Sequence, residues 1–136
     1  MLKNKLVKII TNENNCITLD KYIEICLFDK NGYYKNINPI GKDGDFITAP
    51  EISQLFGEII GIYIYNKWSR DIKKKFNLIE LGPGKGTLTL DILRITNSLE
   101  TFRNKFDLYL IEINNHLKKI QKKLIKKSYF DINKIK

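Results

Sequence analysis

Ile79–Arg94, reading IELGPGKGTLTLDILR, decides how this chain folds. Leu78, Ile79 and Leu81 are a short apolar run with Glu80 at its carboxyl end, the pattern of a buried strand in an open parallel sheet. Such sheets bind ligands in the crevice outside the carboxyl ends of their strands. Gly82, Gly84 and Gly86 then occupy alternate positions, a turn that permits positive φ and close approach to the main chain. Pro83 stiffens it. A helix is expected from Thr87 to Thr96 with Leu88, Ile92 and Ile95 inward. Its amino end offers N–H groups suited to a carboxylate or phosphate.

The glycine spacing narrows the ligand. A dinucleotide fingerprint places its third glycine three residues after the second, whereas Gly86 follows Gly84 by two. A phosphate-binding P-loop needs Lys followed by Ser or Thr, and Lys85 is followed by Gly86. An acidic residue followed by GxGxG is instead similar to the first motif of Rossmann-like S-adenosylmethionine-dependent methyltransferases. A second carboxylate lies downstream. Leu108–Ile111 reads as another buried strand with Glu112 at its end, followed by a helix with Leu117, Ile120 and Leu124 inward, capped by Asn114 or Asn115. Strand, turn, helix, strand is a βαβ unit, and its right-handed crossover brings Glu112 beside the glycine turn, where it can accept both hydroxyl hydrogens of a ribose.

Upstream, Gly44–Ile52 (GDFITAPEI) leads into an apolar helix. Thr48 and Glu51 have capping-box spacing, and Pro50 suits a first turn. Ile52, Leu55, Phe56, Ile59 and Tyr63 recur at helical spacing and are expected to face the core. Gly57 and Gly61 leave a smooth strip, read as a close helix crossing in preference to ligand space. Gln54 and Glu58 are read as a solvated pair. Nearer the amino end, helices are expected over residues 1–11 and Leu19–Phe28, with a polar break at Asn12–Asn15, a stop at Asn31-Gly32 and a loop over Gly32–Asp45.

GDFITAPEISQLFGEIIG, ELGPGKGTLTLDILR and LIEINNHLKKIQ, with YIEICLFDKNGYY before them, together resemble the methyltransferase family that includes the mitochondrial complex I assembly methyltransferase and its bacterial relatives. The resemblance runs from about Ile17 to Leu124. It implies an α/β fold in which amino-terminal helices precede the first βαβ part of a Rossmann-like sheet. S-adenosylmethionine is the implied cofactor, no metal is implied, and the implied acceptor is a protein arginine, with a respiratory complex I subunit as candidate partner. Carried over by position, Glu80, Gly82, Gly84 and Gly86, with Pro83 and Thr87, would hold the cofactor, and Glu112 its ribose hydroxyls. Asp45, Phe46, Thr48, Pro50 and Glu51 would shape the entrance. No catalytic residue is assigned.

Members of that family are far longer than 136 residues, so the chain is expected to be a truncated piece. It is read as one partial domain, helical over 1–75 and Rossmann-like over 76–136, with a third strand beginning near Tyr129–Ile135. A sheet of two or three parallel strands leaves an apolar edge that proteins normally cover. A second polypeptide is therefore an expected partner, and a remnant without turnover is the alternative to an enzyme.

Composition bears on the remaining classes. The net charge of +9 admits an RNA-binding module, but Lys118, Lys119, Lys122 and Lys123 fall mostly opposite the apolar stripe of the last helix, as a solvated face does. The chain lacks about 18 consecutive apolar residues, so no membrane span is expected, and its start lacks a secretory cleavage pattern. Cys16 and Cys26 have neither metal-site nor disulfide-scaffold spacing, which points to a reduced, cytoplasmic protein. His116 is expected to be exposed.

Overall fold

The computed structural model describes residues 1–36, 41 and 44–126, and it divides into two compact units, Met1–Pro39 and Ile40–Lys136. The expected strand near Tyr129 lies outside the described residues.

The first unit is helical. α1 (Leu2–Asn12) and α2 (Leu19–Phe28) are joined by a turn in which Asn14 and Asn15 both take left-handed φ, a region asparagine tolerates better than most residues. Lys5 pairs with Asp29 and Lys21 with Glu13 across that turn. A single helical turn, α3 (Tyr33–Asn36), interrupts the expected loop and stacks Tyr34 on Phe28 at 5.8 Å between ring centroids.

The second unit is built around β1 (Phe76–Leu81) and β2 (Phe106–Ile111), paired in parallel with Phe76 opposite Phe106 and Leu81 opposite Ile111. α4 (Ala49–Ile52) and α5 (Gln54–Lys67) precede them. α6 (Thr87–Asn97) and α7 (Glu100–Arg103) form the crossover, and α8 (Asn115–Lys126) follows β2. α5 runs into a wide π-type turn, Trp68–Ile72, which closes with the Lys73 N–H donating to the Trp68 carbonyl at 2.9 Å. The turn carries Trp68 into the core, where Phe102 sits 5.1 Å from Trp68, 5.5 Å from Tyr65 and 5.4 Å from Phe106. Leu93, Leu108 and Ile125 make up the fully buried cluster with Phe102 and Phe106, and Tyr65 and Trp68 pack against it half-buried.

The packing differs from the periodicity in three places. α5 turns its glycines inward: a Cβ on Gly57 would overlap the Asp91 Cβ, and one on Gly61 would overlap the Ile95 side chain and lie 3.3 Å from the Ile92 Cα. The close helix crossing is thus present. Ile52 of α4 and Leu55, Phe56, Ile59 and Tyr63 of α5, expected in the core, are exposed instead, and on α5 the smooth strip permits the closer approach to α6. On α6 the fully buried apolar residue is Leu93, with Ile92 beside it, while Leu88 and Ile95 are half-buried. On α8 the buried positions are Leu117, Gln121 and Ile125, with Ile120 and Leu124 at the margin.

The sheet is likewise one-sided. Phe76 and Leu78 with Phe106 and Leu108 face the helices, and the residues between them face away. Ile79 and Leu81, read as buried, are therefore exposed, Leu81 by 76%, with Ile111 beside them. A parallel sheet normally carries helices on both faces.

Candidate functional site

The glycine turn grows out of the β ladder. The Gly82 N–H donates to the Ile111 carbonyl at 2.9 Å and the Gly86 N–H to the Pro83 carbonyl at 2.8 Å, so the turn is anchored at both ends. Gly82, Gly84 and Gly86 all have left-handed φ, at 64°, 56° and 85°. A side chain at these positions costs about 1–2 kcal/mol each. Gly82 has a second property: among the described residues nothing lies within 4 Å of where its Cβ would be. Gly86 is the N-cap of α6, and no side chain caps that end.

That open space belongs to a cleft of about 280 Å³ lined by Thr48, Pro50, Glu51, Glu80, Leu81, the turn Gly82–Lys85, Thr87 and Leu88. Its volume lies just below the roughly 300–1,000 Å³ usual for small-molecule sites, which fits a partial pocket.

Two links join the Asp45–Glu51 block to this turn. Glu51 accepts a hydrogen bond from the Thr87 hydroxyl at the start of α6. Capping-box geometry is absent: Thr48 is the N-cap of α4 in extended conformation without a side-chain cap bond, and the Glu51 carboxylate is engaged across the cleft instead of reaching back to Thr48. The second runs through Gly41, whose N–H donates to the Phe46 carbonyl at 3.0 Å and whose missing Cβ, at φ 99°, leaves room for the Lys85 ammonium. Thr48, Pro50 and Glu51 thus reach the cleft. Asp45 and Phe46 do not line it, and both are exposed.

Glu80 points toward α6, where it accepts a hydrogen bond from the buried Thr89 hydroxyl. Burial raises the pKa of its carboxyl above the ordinary range, and the Thr89 bond partly offsets this. A second raised acid, Asp91, lies behind the cleft. Burial is again the main cause, opposed by Arg94, which donates to Oδ1 at 2.7 Å. Asp91 Oδ2 is buried without a hydrogen-bond partner among the described residues. Gln54 and Glu58 are bonded to each other at 2.6 Å, but Glu58 also lies 3.7 Å from the Arg94 guanidinium, so the pair joins this network.

Glu112 stands outside the cleft lining but is tied to the turn. Its Oε1 accepts the Ile113 and Asn114 N–H groups, both at 2.8 Å. Oε2 is left facing Gln121, whose amide donates to the Gly84 carbonyl at 2.7 Å. With Oε1 occupied by two backbone donors, Oε2 is the oxygen that remains for a hydroxyl. Asn114 caps α8 by accepting the His116 and Leu117 N–H groups, and His116 is exposed. Gln121, Thr89 and Lys85 were missed in the sequence. Only Gln121 left a trace there, as a polar residue four positions from both Leu117 and Ile125.

A parallel βαβ unit with a glycine turn, a helix amino terminus and carboxylates at both strand ends is the layout of the first part of a Rossmann-like fold. Known proteins agree. Residues 59–135 match the family described as "putative S-adenosyl-L-methionine-dependent methyltransferase", and the chain belongs to that family. It is 42% identical over 125 residues to the mitochondrial protein arginine methyltransferase NDUFAF7 of Bos taurus and 40% identical to that of Homo sapiens, covering 89% of this chain and 28% of each relative. The chain thus spans little more than a quarter of the length of these relatives. A Burkholderia thailandensis crystal structure bound to S-adenosyl-homocysteine superimposes with a TM-score of 0.84 at 21% identity, over 99% of this chain and 36% of that one. The chain therefore has the fold of about a third of that structure. Among the described residues no helix is long and apolar enough to cross a membrane.

Proposed function

We propose that this chain contributes the first part of the cofactor site of an S-adenosylmethionine-dependent methyltransferase acting on protein arginine. The observation that carries the reading is the cleft at Gly82: a turn of three left-handed glycines, the first of them open, in a cleft lined also by Glu51, Glu80, Lys85 and the amino end of α6. That distribution suits the methionine end of the cofactor. The carboxylates answer an ammonium, and the helix end with Lys85 answers a carboxylate. We assign Glu80, Gly82, Pro83, Gly84, Gly86 and Thr87 to that end, Glu112 Oε2 to the ribose, and Thr48, Pro50 and Glu51 to the entrance, with Asp45 and Phe46 at its outer margin. When bound, the cofactor would supply an electrophilic methyl group on a sulfonium. The chain's part is alignment.

The region from residue 76 onward is proposed as the start of the cofactor half, preceded by a helical region over 1–75. A subunit of respiratory complex I is the acceptor suggested by the family resemblance. A reducing, cytoplasmic setting is supported by the free thiols of Cys16 and Cys26, but the mitochondrial names of the relatives do not support it. Cell fractionation decides the compartment.

A second reading is favoured by the exposed sheet face at Ile79, Leu81 and Ile111: a chain without turnover of its own that docks to a second polypeptide. Calorimetric titration with S-adenosylhomocysteine, with NAD as control, tests the leading reading. S-adenosylhomocysteine binds the chain weakly and NAD does not. Supplying the carboxyl-terminal part of a relative strengthens binding and restores methylation, whereas binding without methylation selects the second reading. Failure to bind S-adenosylhomocysteine in either form would overturn the cofactor assignment.

A further inference from the structure

Gln121 is 3% exposed, on the buried stripe of α8 between Leu117 and Ile125. A primary amide in a core position costs free energy unless its hydrogens find acceptors. Here one Nε2 hydrogen goes to the Gly84 carbonyl at 2.7 Å, 37 residues earlier in the chain, and Glu112 Oε2 lies 3.5 Å from the same nitrogen. The first is a firm bond. The second is at the outer limit, as contacts in ligand-free sites often are before they tighten.

The surroundings leave this side chain little choice. A Cβ on Gly86 would lie 3.3 Å from the Gln121 Cγ, so the bare main chain of the turn is what admits the stem of the glutamine. Glu112 cannot turn away either, because two backbone N–H groups hold Oε1. One carboxamide therefore sees both halves of the site: the carbonyl of the turn's central glycine and the free oxygen of the acid at the neighbouring strand end. A hydrocarbon side chain of similar length would fill the space and make neither contact.

We infer that Gln121 is a positioning residue, which registers the glycine turn against Glu112 and so sets the preference of the site for a ribose that bears its hydroxyls. The inference rests on the cofactor reading for its ligand, but the link between the two side chains is testable without one. Its second amide hydrogen fixes the direction of Oε2, and a sugar hydroxyl donating to that oxygen finds it aligned. A purely structural glutamine would hold Gly84 and be indifferent to the sugar.

The 136-residue chain is titrated with S-adenosylhomocysteine and with its 2′-deoxy and 3′-deoxy analogues, as wild type and as Gln121→Met. In the wild type the parent ligand binds more tightly than at least one analogue. Gln121→Met weakens the parent by about tenfold, the scale of a lost charge-assisted hydrogen bond, and brings the ratio between parent and analogue close to one. Equal weakening of all three ligands, or an unchanged ratio, would overturn the inference, since loss of packing alone has that effect. A second measurement needs neither ligand nor a folded Gln121 variant. In Glu112→Gln, the Gln121 side-chain amide proton facing position 112 shifts in the NMR spectrum and the one facing Gly84 stays. No shift overturns the inference. A shift, together with no S-adenosylhomocysteine binding by the wild-type chain either alone or with the carboxyl-terminal part of a relative supplied, keeps the link and removes the cofactor reading.

Discussion

Gly57 and Gly61 on one hand and Gly82 on the other do opposite things with the same missing atom. At Gly57 and Gly61 the space of the absent Cβ is filled by Asp91 and Ile95 of α6, so glycine there draws two helices together. At Gly82 the space is left empty beside two carboxylates and a lysine. Both stand at regular spacing, and their settings, a helix for Gly57 and Gly61 and a strand-to-helix turn for Gly82, already read as a crossing and as a ligand turn. Whether the vacated volume is closed by protein or kept open separates a packing glycine from a binding one.

Substitution at each site can break that distinction. The largest effect is expected at the crossing: Gly57→Val drives its side chain into Asp91 and forces α5 from α6, and chemical denaturation reads a loss of about 3 kcal/mol or more, or no folded protein. Gly82→Ala acts in reverse. Its methyl meets no atom of the described residues, so stability drops only by the left-handed cost of about 1–2 kcal/mol, while S-adenosylhomocysteine affinity falls by about tenfold or more, read by titration. A Gly82→Ala chain that binds as well as wild type would end the comparison.

Titration of the buried acids sharpens it. Asp91 packs where Gly57 makes room, and burial holds its carboxyl above the usual range. The folded chain therefore binds that proton more tightly than the unfolded chain. The contribution to stability is complete below about pH 4 and is lost as pH rises through the folded-state value. The stability difference between wild type and Asp91→Asn, followed by denaturation at a series of pH values, should accordingly turn against wild type as pH rises. The smallest effect belongs to the exposed face of α8: Lys118→Gln with Lys122→Gln should change stability by less than about 0.5 kcal/mol and leave cofactor binding unaltered. Salt-dependent RNA binding by wild type that this pair of changes abolishes would revive the nucleic-acid reading.

Much of the site was legible because its parts are local. The glycine turn, its strand and helix, the cap at Asn114 and the exposed His116 each depend on a few neighbouring residues and their backbone preferences, and each stands close to where periodicity and turn chemistry put it. The errors share one cause. Hydropathy assigned Ile52, Leu55, Ile59 and Tyr63 to the core and Ile79 and Leu81 to a buried sheet, but a residue is buried only if something packs on it. Capping-box spacing at Thr48 and Glu51 failed for a related reason, since Thr87, 36 residues away, bonds the carboxylate.

Sequence by itself determined the βαβ unit, the class of ligand its turn can approach, and the two strand-end acids, because these follow from covalent spacing and the conformational freedom of glycine. Tertiary structure alone decided which atoms fill the space at Gly57 and Gly61, that Glu112 has one oxygen to offer, and that Gln121 joins it to the turn. Those outcomes depend on which distant atoms share a volume, and short-range patterns along the chain do not encode that.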